Sequence, residues 1–105
     1  MVKEILTAIG VPGWPARCPD PPEGIYALWF DDVATDGPDG YPWIIRHDIM
    51  VELYEPTQDD ETEEAFEAAL AARGLQYTKQ ARYWLKEVQR YQVIYEFSYT
   101  EKRRT

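Results

Sequence analysis

This chain of 105 residues has one cysteine, Cys18, and one histidine, His47. A lone cysteine excludes an internal disulfide framework and points to synthesis in a reducing compartment. A lone histidine has no companion set for a zinc site or a nucleophilic triad, so a packed, hydrogen-bonded His47 is the stronger reading. There is no run of some 18 apolar residues and no signal-peptide core in Met1–Leu6, so neither a membrane span nor a secretory leader is expected. No glycine-rich phosphate loop follows a strand pattern, and no Gly-x-Ser-x-Gly turn occurs.

Basic residues are also scarce where they would matter for nucleic acid. The formal charge is −8. Residues 1–74 hold 16 Asp and Glu against 4 Lys and Arg, a balance of −12. Residues 75–105 hold 3 against 7, a balance of +4. Binding a phosphate backbone needs a cationic footprint, which this surface lacks, so no direct nucleic-acid contact is expected. A chain acidic at one end and basic at the other is suited instead to docking on copies of itself.

What the chain does have is alternation. Trp43–Tyr54 and Tyr91–Thr100 place large apolar side chains at every second position, the signature of strands with one buried face. Gly24–Asp31 is apolar on both faces and reads as a first strand. Leu75 to about Tyr83 reads as another. Asp60–Arg73 reads as a helix: acidic residues load its first turns, Phe66, Ala69 and Leu70 form its stripe, and Gly74 follows as a C′ residue. Lys3–Ile9 is a short N-terminal helix ended by Gly10 and Pro12. Five of the eight prolines fall between Pro12 and Pro22, an extended connector. The expected fold is a single α+β domain over residues 1–105. It has a small, mainly antiparallel sheet of about four strands, one main helix on one face and the short N-terminal helix.

The segment Asp31–Tyr41 joins two strands and carries Asp36-Gly37-Pro38-Asp39-Gly40, a dense turn signal, so it is expected to project from the body. Asp31, Asp32, Asp36 and Asp39 invite a calcium reading. The spacing fails it, because Val33 and Thr35 stand where a calcium loop needs ligands. The 4 Trp, 8 Tyr and 3 Phe are expected in the core and at a subunit interface, since Tyr and Trp are enriched there.

The order of these segments resembles the small tail-terminator, or tail-completion, proteins from the neck region of long-tailed bacteriophages and prophages. The likeness runs through Leu6–Pro12, the proline-rich approach to Gly24–Ala27, His47–Tyr54 with the acidic helix after it, Gly74–Lys79 and Glu87–Phe97. It implies a structural protein and not an enzyme, with no cofactor or metal. Such proteins form a ring, usually six-fold, that caps the tail tube and joins it to the head–neck complex. The implied partners are copies of the chain itself, the major tail tube protein and a head–neck completion protein, with no membrane. The implied location is the tail of the virion, assembled in the host cytoplasm. A head-to-tail ring needs two different complementary surfaces on one subunit. The charge split suggests Asp31, Asp32, Asp36 and Asp39 for one and Lys102, Arg103 and Arg104 for the other. The alternatives are an acidic DNA mimic that inhibits a nucleic-acid enzyme, a neighbouring neck or head-completion component, and an enzyme of a type the residues do not reveal.

Overall fold

A computed structural model describes residues 1–36 and 44–102. The elements are α1 (Val2–Ala8), β1 (Gly13–Pro15), β2 (Tyr26–Asp36), β3 (Ile44–Glu55), α2 (Asp60–Ala72), β4 (Tyr77–Lys79), β5 (Tyr83–Leu85) and β6 (Arg90–Lys102). The expectation of about four mainly antiparallel strands is overturned. The sheet has six strands in the order β1-β2-β3-β6-β4, with β5 also on β6, and it is mixed because β1 runs parallel to β2.

Two local causes account for the extra strands. The proline-rich connector contributes β1: its Pro12 carbonyl accepts from the Ala27 amide, and the Ala16 amide donates to the Trp29 carbonyl. Proline is tolerated at such an edge because no ladder bond is lost there. The stretch expected as one strand over 75–83 is interrupted at Gln80–Arg82, so its two halves pair with β6 at separate places.

The three long strands stack their odd-numbered residues on one face, in rows such as Ala27–Leu53–Val93, Trp29–Val51–Tyr95 and Asp31–Ile49–Phe97. Both helices cover this face. Phe66 and Leu70 of α2 and Ile5 and Leu6 of α1 are fully buried with Val51, Leu53, Val93 and Tyr95. Burying an aliphatic or aromatic side chain of this kind contributes about 1.5–3 kcal/mol before entropy is counted. Each helix ends in a pair of bonds from the two residues after its cap. Gly10 and Val11 donate to Thr7 and Leu6, and Gly74 and Leu75 donate to Ala71 and Leu70. Both glycines sit at positive φ, 77° and 71°, where a Cβ would be strained.

Beyond the Asp31–Ile49–Phe97 row, β2, β3 and β6 continue as a three-stranded arm, and the molecule measures 49 × 29 × 23 Å. Asp31, Asp32 and Asp36 therefore belong to a strand and not to a loop, and Lys102 ends a strand and does not start a tail. The reason is ladder length. Twelve-residue β3 offers backbone groups on both sides, and its neighbours extend to satisfy them despite the poor β propensity of aspartate. Asp39, Arg103 and Arg104 lie outside the described residues, as do positions 37–41 of the expected projecting loop.

Candidate assembly surface

A charged cluster centred on His47 spans the three strands of the arm. His47 lies in the covered-face phase between Val33 on β2 and Tyr99 on β6. Its ring stacks on Tyr99 with centroids 4.5 Å apart and planes 7° from parallel. Nδ1 stands 2.9 Å from an Asp31 carboxylate oxygen, and Nε2 stands 3.0 Å from Glu101 Oε1. A neutral imidazole has one donor, so two carboxylates on opposite nitrogens favour the imidazolium. Glu101 first, with Asp31, holds the His47 pKa above its ordinary value, and partial burial lowers it less. One side chain thus ties β2, β3 and β6 together through charge-assisted bonds.

Among the described residues, no helix lies on the other face of the sheet. Its rows are Leu28–Glu52–Ile94, Phe30–Met50–Glu96 and Asp32–Asp48–Ser98. An open concavity of about 980 Å³ runs across it, lined by Phe30, Asp48, Met50, Thr78, Glu96 and Ser98. Ser98 Oγ donates to Asp48 at 2.6 Å and Arg46 Nε donates at 3.0 Å, which together hold the Asp48 carboxyl below its usual range. Asp32 and Asp48 are therefore neighbours on this face, while Asp31 points to the other and meets His47. Lys102 reaches the same level of the arm as Asp36, each flanking Ile44 of β3.

A second polar cluster sits between α2 and the β4–β5 bend. Glu55 and Glu63 are buried, and Lys79 Nζ bridges Glu63 and Glu67 at 2.8 and 2.7 Å. Arg82 reaches Glu63 at 2.9 Å and also pairs with Asp60. Tyr95, fully buried, donates to Glu67 at 2.7 Å, and burial followed by that carboxylate pushes its phenol pKa up. Burial and the Glu63 carboxylate push Glu55 up to about 8, which favours its protonated form over that of Glu63. Burial works against the charged form of Glu63 as well, but bonds from Glu55, Lys79 and Arg82 outweigh it and hold its pKa low.

A packed, hydrogen-bonded His47 was expected, but its partners Asp31 and Glu101 were not, and neither was this cluster. Glu63, Phe66, Glu67 and Leu70 share one helix face at i, i+3, i+4 and i+7, so the buried acids were visible as carboxylates inside an apolar stripe. Glu101 carried no such signal, because its partner is 54 positions away. Among the described residues, no group of three or more His, Cys, Asp or Glu is arranged to hold a metal, and no helix is long and apolar enough to cross a membrane.

No protein-family model and no curated protein matches the chain.

Proposed function

We propose that this chain is a structural subunit of a phage tail. In this reading it forms a ring that caps the tail tube and joins it to the head–neck complex. The observation that carries the reading is the three-stranded arm, which leaves the body with no described strand along its outer edges. An arm of this kind presents backbone and charge to other chains. The order of elements that resembles tail terminators supports the same role. Six-fold closure, contact with the major tail tube protein and contact with a head–neck completion protein belong to this proposal, as does residence in the virion tail.

A second reading draws on the open face. Asp32, Asp48, Glu52 and Glu96 stand there with Arg46, an acidic surface suited to an inhibitor that imitates DNA. The basic balance of residues 75–105 weighs against it.

Tail particles purified from producing cells decide between the two. The tail reading expects the chain at one end of the tube, and overlong tubes when it is removed. A chain absent from particles, with tails of normal length after its removal, overturns the reading. Competition with DNA for a nuclease in that case favours the mimic.

A further inference from the structure

The arm's two edges can be read group by group. The Trp29 carbonyl and the Ala27 amide of β2 are bonded to the β1 segment, so odd-numbered residues of β2 turn their backbone groups away from β3. The register with β3 is unbroken from Tyr26 to Asp36. Asp31, Val33 and Thr35 therefore direct N–H and C=O outward, beyond the reach of β1, which pairs only with Ala27–Trp29. On β6, the Ile94 carbonyl accepts from Gln80 on the far side from β3, so even-numbered residues turn outward there. Strand β4 covers positions 95–97 and β5 covers 90–92, which leaves Ser98, Thr100 and Lys102 with outward groups. Asp31 to Thr35 and Ser98, Thr100 and Lys102 are all exposed, so these groups face solvent.

We propose that the arm is completed by a second copy of this chain, with β2 of one copy adding in parallel to β6 of the next. This inference deepens the ring reading and rests on it. Strands β2 and β6 run in the same direction, and their rows are level: Asp32–Asp48–Ser98, Ala34–Arg46–Thr100, Asp36–Ile44–Lys102. In a parallel ladder, one residue's two groups bond to the residues on either side of its opposite number. Placed level for level, Thr100 meets Val33 and Thr35 of the second copy, and the ladder starts at Val33 because β4 already fills the place opposite Phe97. The outward sets match without any shift of register.

Charge chooses this pairing over the symmetric one. Strand β2 carries Asp31, Asp32 and Asp36 and no basic residue, so two β2 edges repel. Charges along an edge ordinarily guard it against pairing, and here they guard it against its own kind. Level parallel addition sets position Asp36 beside Lys102, of opposite formal charge. The contact is heterologous, as a ring requires. It is confined to the arm, because β1 on one edge and β4 with β5 on the other make the body wider and hold the bodies apart.

Disulfide capture tests the pairing. Position 34 on one copy and position 100 on the next would be level neighbours on the open face, within the span a disulfide bridges. In a Cys18→Ser background, one chain carrying Ala34→Cys is mixed with one carrying Thr100→Cys and oxidised. The expected product is the mixed dimer, at least tenfold over either self-dimer. Adding Val33→Pro to the Ala34→Cys chain removes an outward N–H and no bond to β3, and should abolish the mixed product. Circular dichroism shows that the fold is kept. A statistical mixture of the three dimers, or a mixed product indifferent to Val33→Pro in a folded chain, overturns the inference. Rings that form and enter tails without the mixed disulfide also overturn it, and leave the ring reading standing. Mixed disulfides in a chain that never enters tails uphold the pairing and remove the tail function.

Discussion

Replacing Glu55 by glutamine isolates the buried acid cluster. Glu55 is completely buried at the end of β3, with Oε1 accepting from the Asp59 amide at 3.3 Å and Oε2 unpartnered. In the unfolded chain it ionises near 4.5; in the folded chain, burial and Glu63 push that up to about 8. Between these values the folded state holds a proton that the unfolded state has lost. The contribution is fully present below 4.5 and is lost as the pH rises through 8. The slope is about 1.4 kcal/mol per pH unit, which sets an upper limit of about 5 kcal/mol across the window. Sharing of the proton with Glu63 and local relaxation reduce this to a few kcal/mol. Glutamine has the shape of the protonated acid and does not ionise. Urea unfolding at pH 5, 7 and 9 should therefore show Glu55→Gln within about 1 kcal/mol of the parent at pH 5 and more stable by a few kcal/mol at pH 9, judged against ordinary hydrogen-bond replacement costs. Taking the difference between the two proteins removes the opposite pH dependence of Glu67, whose pKa is held low. A difference that stays flat from pH 5 to 9 refutes a proton held on this pair.

Two further outcomes are expected. Because the folded arm raises the pKa of His47 above 6.5, the stability it contributes is complete below that value and is lost as the pH rises through the raised one. His47→Ala should speed amide exchange in residues 44–48 and 98–102 by about tenfold below pH 6.5, the worth of about one charge-assisted bond, with little change in the helices. Equal exchange in arm and body would contradict this. Gly13→Ala places a Cβ 2.6 Å from Leu6 Cδ1 and 3.2 Å from the Ala27 carbonyl oxygen. Leu6 can turn aside but the backbone oxygen cannot, so a loss of about 1–3 kcal/mol is expected by thermal unfolding, and an unchanged melting temperature would show that β1 is free to move.

Much of the local structure was legible in the residues. The helix over 60–72 follows from an acidic first turn, an apolar stripe and Gly74, all of which act within a few positions. The long strands follow from alternation, which places side chains without knowledge of the partner strand. The strand count was not legible. Three-residue strands such as β1 and β5 have too few positions to show a period, and they exist because a longer neighbour offers unpaired groups. For the same reason Asp32 and Asp36 read as loop and fold as strand.

The sequence by itself determined which faces are apolar, where both helices stop and how charge divides along the chain. Those properties depend on each residue and its near neighbours. Only the tertiary structure decided that His47 meets Asp31 and Glu101 from the rows on either side, that Glu55 is buried beside Glu63, and that among the described residues no strand covers the arm's edges. Each of these depends on strand register, which joins residues tens of positions apart through backbone bonds that are the same for every side chain.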